Sequence, residues 1–140
     1  MNTAPNTDRE YAYLSIGGYG DHKIVSETLG LKPSDAWNIG EKKRKGSGTY
    51  PATKWRYDSG LDDTEKLEKH IEVLLVFLET RREALLKLYP DWTVCIQCVG
   101  YYPFAGHGFH LSHEDMSTAL HLGLSFDFDF YFVASDDEDG

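Results

Sequence analysis

The chain has 140 residues, of which 41% are hydrophobic and 14% aromatic, which is enough apolar surface for one folded domain. Its 23 Asp and Glu residues outnumber its 14 Lys and Arg residues, and the net charge of -9 disfavours nucleic acid and anionic membranes as partners. There is no signal-peptide pattern and no apolar run near the ~18 residues of a membrane helix. We therefore expect a cytoplasmic protein.

The first third of the chain predicts a strand, a capped helix and a loop. After a lead-in at residues 1–9, which we expect to be disordered, residues 11–16 have the aromatic and β-branched enrichment of a strand. Asp21 has the position of an N-cap for a short helix, and Gly30 that of its C-cap. Residues 31–52 lack a regular apolar period and contain several glycines and prolines, which predicts a long exposed loop.

The middle of the chain predicts a second strand and a long helix. Residues 53–58 alternate apolar and charged side chains, so we expect Trp55 and Tyr57 to face inward. An apolar stripe at helical spacing predicts one helix over residues 63–89, which ends before Pro90. The stripe consists of Leu67, Ile71, Leu74, Leu78, Leu85 and Leu88. Its width favours packing on a sheet over pairing with a single helix.

A third strand is predicted at residues 92–100, and it contains both cysteines. Cys95 and Cys98 are three residues apart, and in a strand such residues point to opposite faces. We therefore expect two free thiols here, and not a redox or zinc pair.

The last third predicts a short helix and a closing strand. Ser112, with Asp115 three residues later, forms a capping pattern for a helix over residues 113–122, which Gly123 ends. Residues 126–133 then alternate strictly, with four phenylalanines on one face.

These elements predict a single α+β domain over residues 10–133. Its simplest architecture is one sheet of about four strands, with one long helix and two short helices packed on one face. This arrangement would bury the phenylalanines of the last strand together with the helical stripe. The acidic residues 134–140 predict a disordered tail.

Three histidines at three-residue intervals are the clearest candidate metal ligands. His107, His110 and His113, with Glu114, have the imidazole and carboxylate groups that zinc or another divalent ion prefers. The spacing crosses a loop and a helix start, however, so the three rings would not share one helical face. We expect no catalytic residue, cofactor or metal, and retain a small metal-dependent enzyme or ligand-binding domain as the alternative.

Two aspartates of the last strand are the clearest candidate acid–base pair. Asp127 and Asp129 share one face, roughly 7 Å apart at Cα, a separation that two-carboxylate hydrolysis can use. Solvent-facing charges on an amphipathic strand explain the pattern equally. If the strand lies in the middle of the sheet, the pair becomes an acidic patch for a basic partner.

One extended pattern resembles a known family. Residues 29–40 contain Leu-Gly-x-x-Pro followed by Trp-x-x-Gly, and Trp55, the leucine-rich helix and the Phe-Asp strand come after them. Over residues 10–133 this order resembles bacterial domain-of-unknown-function family 4279. The resemblance implies a small stand-alone α+β domain without established catalytic residues. Some members look like cargo of bacterial toxin and immunity loci.

These observations favour a protein-binding module, and an immunity-type inhibitor of a basic toxin is our working hypothesis. The partner-binding residues that we expect are Trp37, Tyr101, Tyr102, Phe104, Asp127 and Asp129. The aromatic members lie in predicted loops, where large rings either pack locally or anchor a partner. The sequence does not predict the oligomeric state.

Overall fold

The computed structural model describes residues 7–104 and 106–133, which form five strands and four helices. In chain order these are β1 (Arg9–Gly18), α1 (His22–Leu29), β2 (Asp35–Trp37), β3 (Thr53–Asp58), α2 (Leu67–Glu79), α3 (Arg82–Leu86), β4 (Thr93–Tyr102), α4 (His113–Leu122) and β5 (Ser125–Phe132). The predicted α+β class is confirmed, with five strands where about four were expected. The predicted tail at residues 134–140 and residues 1–6 of the lead-in lie outside the described residues.

All five strands belong to one sheet, in the order β2-β3-β1-β4-β5. Neighbouring strands are antiparallel except β4 and β5, which are parallel. The three-residue strand β2 lies within the stretch that was predicted as a loop, and it pairs with β3 from Asp35↔Arg56 to Trp37↔Lys54. The sheet therefore has a short edge at β2 and a long edge at β5.

The hydrophobic core lies between one face of the sheet and the helices. Leu14 and Ile16 of β1 and Ile96 of β4 are fully buried in a cluster that takes side chains from all four helices. All six residues of the predicted stripe are buried in this cluster, including Leu74 and Leu78. The prediction that the stripe packs on the sheet is confirmed. None of the described helices is long and apolar enough to cross a membrane.

The predicted helix over residues 63–89 is wrong in its extent, because the chain breaks into α2 and α3. The hydroxyl of Thr80 donates to the carbonyl of Phe77 at 2.6 Å and competes with the helical hydrogen bond there. Arg81 then leaves the helical conformation, with φ -124° and ψ 24°, and its guanidinium donates to the carbonyl of Leu29 at 3.1 Å. The apolar stripe continues past the break, which is why the spacing did not reveal it.

The predicted caps of the two short helices are confirmed. The Asp21 carboxylate accepts the backbone N–H of Lys23 at 3.0 Å, and the Ser112 hydroxyl accepts that of Asp115 at 3.1 Å. Gly30 and Gly123 end these helices with φ of 67° and 73°, a conformation that favours glycine.

The expected burial of all four β5 phenylalanines is only partly correct. Phe126 and Phe130 pack against the core, whereas Phe128 and Phe132 are 41% and 52% exposed. The reason is the strand order, since β5 is an edge strand and has a neighbour on one side only.

Candidate functional site

The side of the sheet opposite the core, which we call the open face, is the first candidate binding surface. Its residues alternate with the core residues along each strand, and the strand register brings them together. They include Asp35, Trp37, Lys54, Arg56, Asp58, Arg9, Tyr11, Tyr13, Ser15, Cys95, Gln97, Val99, Tyr101, Asp127, Asp129 and Tyr131, of which Ser15 and Val99 are buried. The buried hydrophobic side chains of all four helices belong to the core cluster, so these helices cover only the other face.

Tyrosines and arginines are combined at the centre of the open face. The Arg56 guanidinium lies 3.8 Å from the ring centroid of Tyr13 and 5.8 Å from that of Tyr11, within cation–π range. The Asp58 carboxylate holds this arginine at 2.7 Å. Burial is the main cause that raises the pKa of both tyrosines above the ordinary value.

A second pair of rings extends the open face toward β5. Tyr101 stacks on Tyr131 with ring centroids 5.0 Å apart, and the Arg9 guanidinium lies 4.9 Å from the Tyr101 ring. Such rings offer large contact area with few rotatable bonds. The arrangement is suited to recognising a broad surface.

Two adjoining cavities make one end of the open face concave. The larger has a volume of about 550 Å³ and is walled by Trp37 and Tyr50, whose rings stack at 4.6 Å. The smaller has a volume of about 240 Å³ and a floor that includes Cys95 and Asp127. Lys54 lines both cavities. The larger volume is within the range of small-molecule pockets.

The two aspartates of β5 are hydrogen-bonded to β4 across the open face. Asp127 Oδ2 accepts from the thiol of Cys95 at 3.4 Å, and Asp129 Oδ2 accepts from the amide of Gln97 at 2.8 Å. Both carboxylates are exposed, as expected. The sequence predicted an acidic patch only if this strand lay in the middle of the sheet. Because β5 is an edge strand, the two aspartates do not form a central acidic patch.

The cysteines are free thiols on opposite faces of β4, as predicted. Cys95 is half-buried on the open face and Cys98 is buried in the core. Burial is the main cause that raises the pKa of Cys95 to about 11, and the hydrogen bond to Asp127 adds to it. Burial likewise raises the pKa of Cys98 to about 12. Both groups are therefore poor nucleophiles at neutral pH.

The predicted partner-binding residues are divided between the two faces. Trp37 and Tyr101 lie on the open face and are half-buried, and Phe104 is 61% exposed after β4. Tyr102, in contrast, belongs to β4 and points into the core, where it is 1% exposed. It is therefore not available for surface contact. The sequence indicated a loop there because the predicted strand ends at residue 100 and an irregular stretch of aromatic residues and glycines follows.

The alternative metal-binding set is not assembled. The His107 ring stacks on the Tyr102 ring of β4. His110 contacts Glu68 through its backbone N–H, which donates to the carboxylate, and not through its imidazole. His113 and Glu114 approach only each other, at 3.5 Å, and both are largely exposed. Within residues 7–104 and 106–133, no group of three or more His, Cys, Asp or Glu side chains could hold a metal ion.

A buried carboxylate near His107 forms a second candidate site, which we call the acidic pocket. Glu10 is 5% exposed, and its Oε2 accepts the Tyr102 hydroxyl at 2.7 Å. His107 stacks on Tyr102 and places its Nε2 3.4 Å from the same oxygen. The cavity beside them has a volume of about 440 Å³, and Asp8 and Glu68 also line it.

The acidic pocket depends on a close approach between a ring and the backbone. At Gly100, which pairs with Glu10, a side chain would overlap the ring of Tyr102. Burial raises the pKa of Tyr102, and the bonded Glu10 carboxylate raises it further, so this hydroxyl remains a proton donor. Glu10 was not predicted as a site residue from the sequence. The available signal was its phase, since Glu10 is two residues before Ala12 and four before Leu14 and therefore shares the face of these core residues.

A second buried polar pair was also missed. His70 is fully buried on α2, and its Nδ1 lies 2.6 Å from the hydroxyl oxygen of Ser59. Ser59 follows β3 and also accepts the backbone N–H of Leu61. The pair joins the loop after β3 to the helix.

Comparison with known proteins identifies the family. No curated protein and no solved structure matches the chain. The model of the family described as domain of unknown function (DUF4279) matches residues 8–133, which include every strand and helix described above. The chain therefore belongs to the DUF4279 family.

Proposed function

We propose that this protein is a protein-binding module and that the open face is its contact surface. The observation that carries the proposal is the one-sided packing of the sheet, whose other side presents tyrosine rings with arginine guanidiniums over them. Tyrosine, tryptophan and arginine dominate the energetics of protein interfaces, because they bury much area at little entropic cost.

The charges of the open face support a protein partner over a nucleic acid. Aromatic rings on a sheet also suit base stacking, but such surfaces need a surplus of positive charge to hold phosphates. Here the cations do not exceed the carboxylates: the latter are Asp35, Asp58, Asp127 and Asp129, and the former are Arg9, Lys54, Arg56 and Arg44, whose guanidinium pairs with Asp35 and lies over Trp37. The whole chain has a net charge of -9.

For the partner, we propose a basic protein, and for the role an immunity-type inhibitor of a bacterial toxin. The net charge of -9 supports this, because complementary fields accelerate encounter with a basic surface. The resemblance of some family members to proteins of toxin and immunity loci agrees with it. Two free cysteines support a reducing location, the cytoplasm.

The test begins with co-expression of the chain and the products of neighbouring genes, followed by growth rescue against any product that is toxic. With a partner in hand, the variant Tyr13→Ala/Arg56→Ala should weaken its binding at least about tenfold, as expected for truncated interface anchors. Val76→Ala is the matched control, since Val76 is 60% exposed on α2, on the helical side.

Two results would contradict the proposal. Binding that survives the open-face variant but is lost with Val76→Ala would move the contact surface to the helices. A purified protein that binds no neighbouring product and retains a small molecule, detected by native mass spectrometry, would favour the second function below.

The second function is a ligand-binding domain or small enzyme centred on the acidic pocket. A buried Glu10 carboxylate beside a cavity of about 440 Å³ favours it, because ligand pockets combine a cavity of this size with a few converging polar groups. The predominance of carboxylates suits a cationic ligand. Glu10→Gln should then abolish retention of the small molecule. The alternative of a metal-dependent enzyme requires a metal ion bound by His107, His110, His113 and Glu114. Metal analysis of protein purified without a histidine tag tests it.

A further inference from the structure

The outer edge of β5 has unpaired backbone groups. The N–H of Val133 donates to the carbonyl of Tyr102 on β4 at 2.8 Å. In a strand, the N–H and C=O of one residue point to the same side, and successive residues alternate. The groups that point away from β4 are therefore those of Phe126, Phe128, Phe130 and Phe132. No hydrogen bond from another described residue reaches them.

The side chains beside this edge differ between the two faces of the sheet. On the core side, Phe128 and Phe132 expose 41% and 52% of their surface. On the open face, Asp127 and Asp129 are exposed, and each uses only Oδ2 in its bond to β4. Each Oδ1 is thus available to accept a bond from a neighbouring strand.

A second copy of the chain is a poor occupant of this edge, because each copy has a net charge of -9 and, in one register, the same aspartates face each other. Antiparallel self-pairing centred on Phe128 would set Asp127 of each copy opposite Asp129 of the other. Like charges that face each other directly across a strand pair are destabilising. Charged residues on an edge strand are a common means of preventing self-association.

We propose that the β5 edge binds an extended segment of a partner protein in which basic and apolar residues alternate. The basic residues would meet Asp127 and Asp129, and the apolar residues would meet Phe128 and Phe132. Residues two apart in any strand are separated by roughly 7 Å, so an Arg-x-Arg or Lys-x-Lys spacing matches the two aspartates. The inference rests on the proposed function and specifies the chemistry of the partner.

The test is a fluorescence anisotropy titration of the purified full chain with a labelled eight-residue peptide that alternates arginine and valine. We expect saturable binding at low salt. A peptide with four valines followed by four arginines has the same composition and should bind at least about tenfold more weakly, because it cannot satisfy both faces of the edge.

Charge reversal on the edge supplies the first variant. Asp127→Lys/Asp129→Lys should weaken binding of the arginine–valine peptide at least about tenfold and create binding of a glutamate–valine peptide. Glu27→Lys/Glu79→Lys is the matched control, because it changes the net charge equally at exposed sites in the last turns of α1 and α2. It should leave binding of the alternating peptide within about threefold.

A backbone variant separates strand pairing from ring contact. Phe128→Pro removes an N–H that points outward and leaves the bonds to β4 intact, whereas Phe128→Ala removes the ring and keeps the N–H. We expect Phe128→Pro to bind the alternating peptide at least about fivefold more weakly than Phe128→Ala. Circular dichroism verifies folding, and if Phe128→Pro does not fold, the charge-reversal variant decides.

Three results would overturn the inference: equal binding of the alternating and block peptides, undiminished binding by the charge-reversed variant, or a dimer in sedimentation analysis that Phe128→Pro dissociates. The open-face variant Tyr13→Ala/Arg56→Ala should not affect the peptide, because β1 and β3 lie away from this edge. Failure of the peptide test therefore leaves the open-face test of the proposed function unaffected.

Discussion

The two faces of the sheet are built from the same strands but differ in their exposure to solvent. Helices exclude water from one face and leave the other open. On the covered face, Leu14 and Ile16 are fully buried under helices, whereas on the open face Tyr11 and Tyr13 are half-buried and contact Arg56. Because successive side chains of a strand point to opposite faces, aliphatic core residues and aromatic surface residues can alternate along one strand. The difference teaches that stability and recognition can be separated residue by residue, because neighbours in sequence serve different faces.

The largest expected effect is on the covered side. Leu74→Ala should lower the free energy of unfolding by about 2–5 kcal/mol, because it opens a cavity between α2 and the sheet. Urea denaturation measures this. Val76→Ala, two residues away and 60% exposed, should cost less than about 0.5 kcal/mol. Similar losses for both variants would mean that the covered face is not the source of stability.

The reactivity of the Cys95 thiol measures how strongly the open face is shielded from solvent. A rise of the Cys95 pKa from 9.0 to about 11 lowers its thiolate fraction at pH 8 about 100-fold. In Cys98→Ser, disulfide exchange with a chromogenic reagent should therefore be at least about tenfold slower in the native state than in urea. The raised pKa stabilises the fold below pH 9, and this contribution is lost as the pH rises to about 11. Equal native and unfolded rates would contradict the burial of Cys95.

Adjacent tyrosines offer the sharpest comparison. Tyr102→Phe leaves the buried Glu10 carboxylate without its hydroxyl donor and should cost about 1–3 kcal/mol of unfolding free energy. Tyr101→Phe changes the same atom on the open face and should cost less than about 0.5 kcal/mol. Thermal denaturation of both variants tests this, and the reverse order would contradict the assignment of faces.

Local signals in the sequence were sufficient for several elements. The caps at Asp21, Gly30, Ser112 and Gly123 and the alternation of β3 predicted their elements correctly, because these signals act over a few residues. The break between α2 and α3 was not predictable from spacing. It depends on Arg81 bonding to the carbonyl of Leu29, a contact that only the tertiary structure provides.

The candidate site depended on strand order, which the sequence does not specify. The alternation of residues 126–133 correctly predicted that Asp127 and the phenylalanines point to opposite faces. It could not predict that β5 lies at the edge of the sheet. Tyr102 was predicted in the aromatic and glycine loop after Gly100, whereas pairing with Phe132 of β5 extends β4 through it. The open face exists only because all the helices lie on the other side.

Side-chain footprinting of the complex tests the central claim most directly. With a partner bound, hydroxyl-radical labelling of Tyr13, Tyr101 and Tyr131 on the open face should fall several-fold, since contact excludes the reagent. Labelling of Val76 and Leu120 on the helical side, which are 60% and 81% exposed, should not change. Protection of the helical pair, with unchanged labelling of the three tyrosines, would contradict the assignment of the open face as the binding surface.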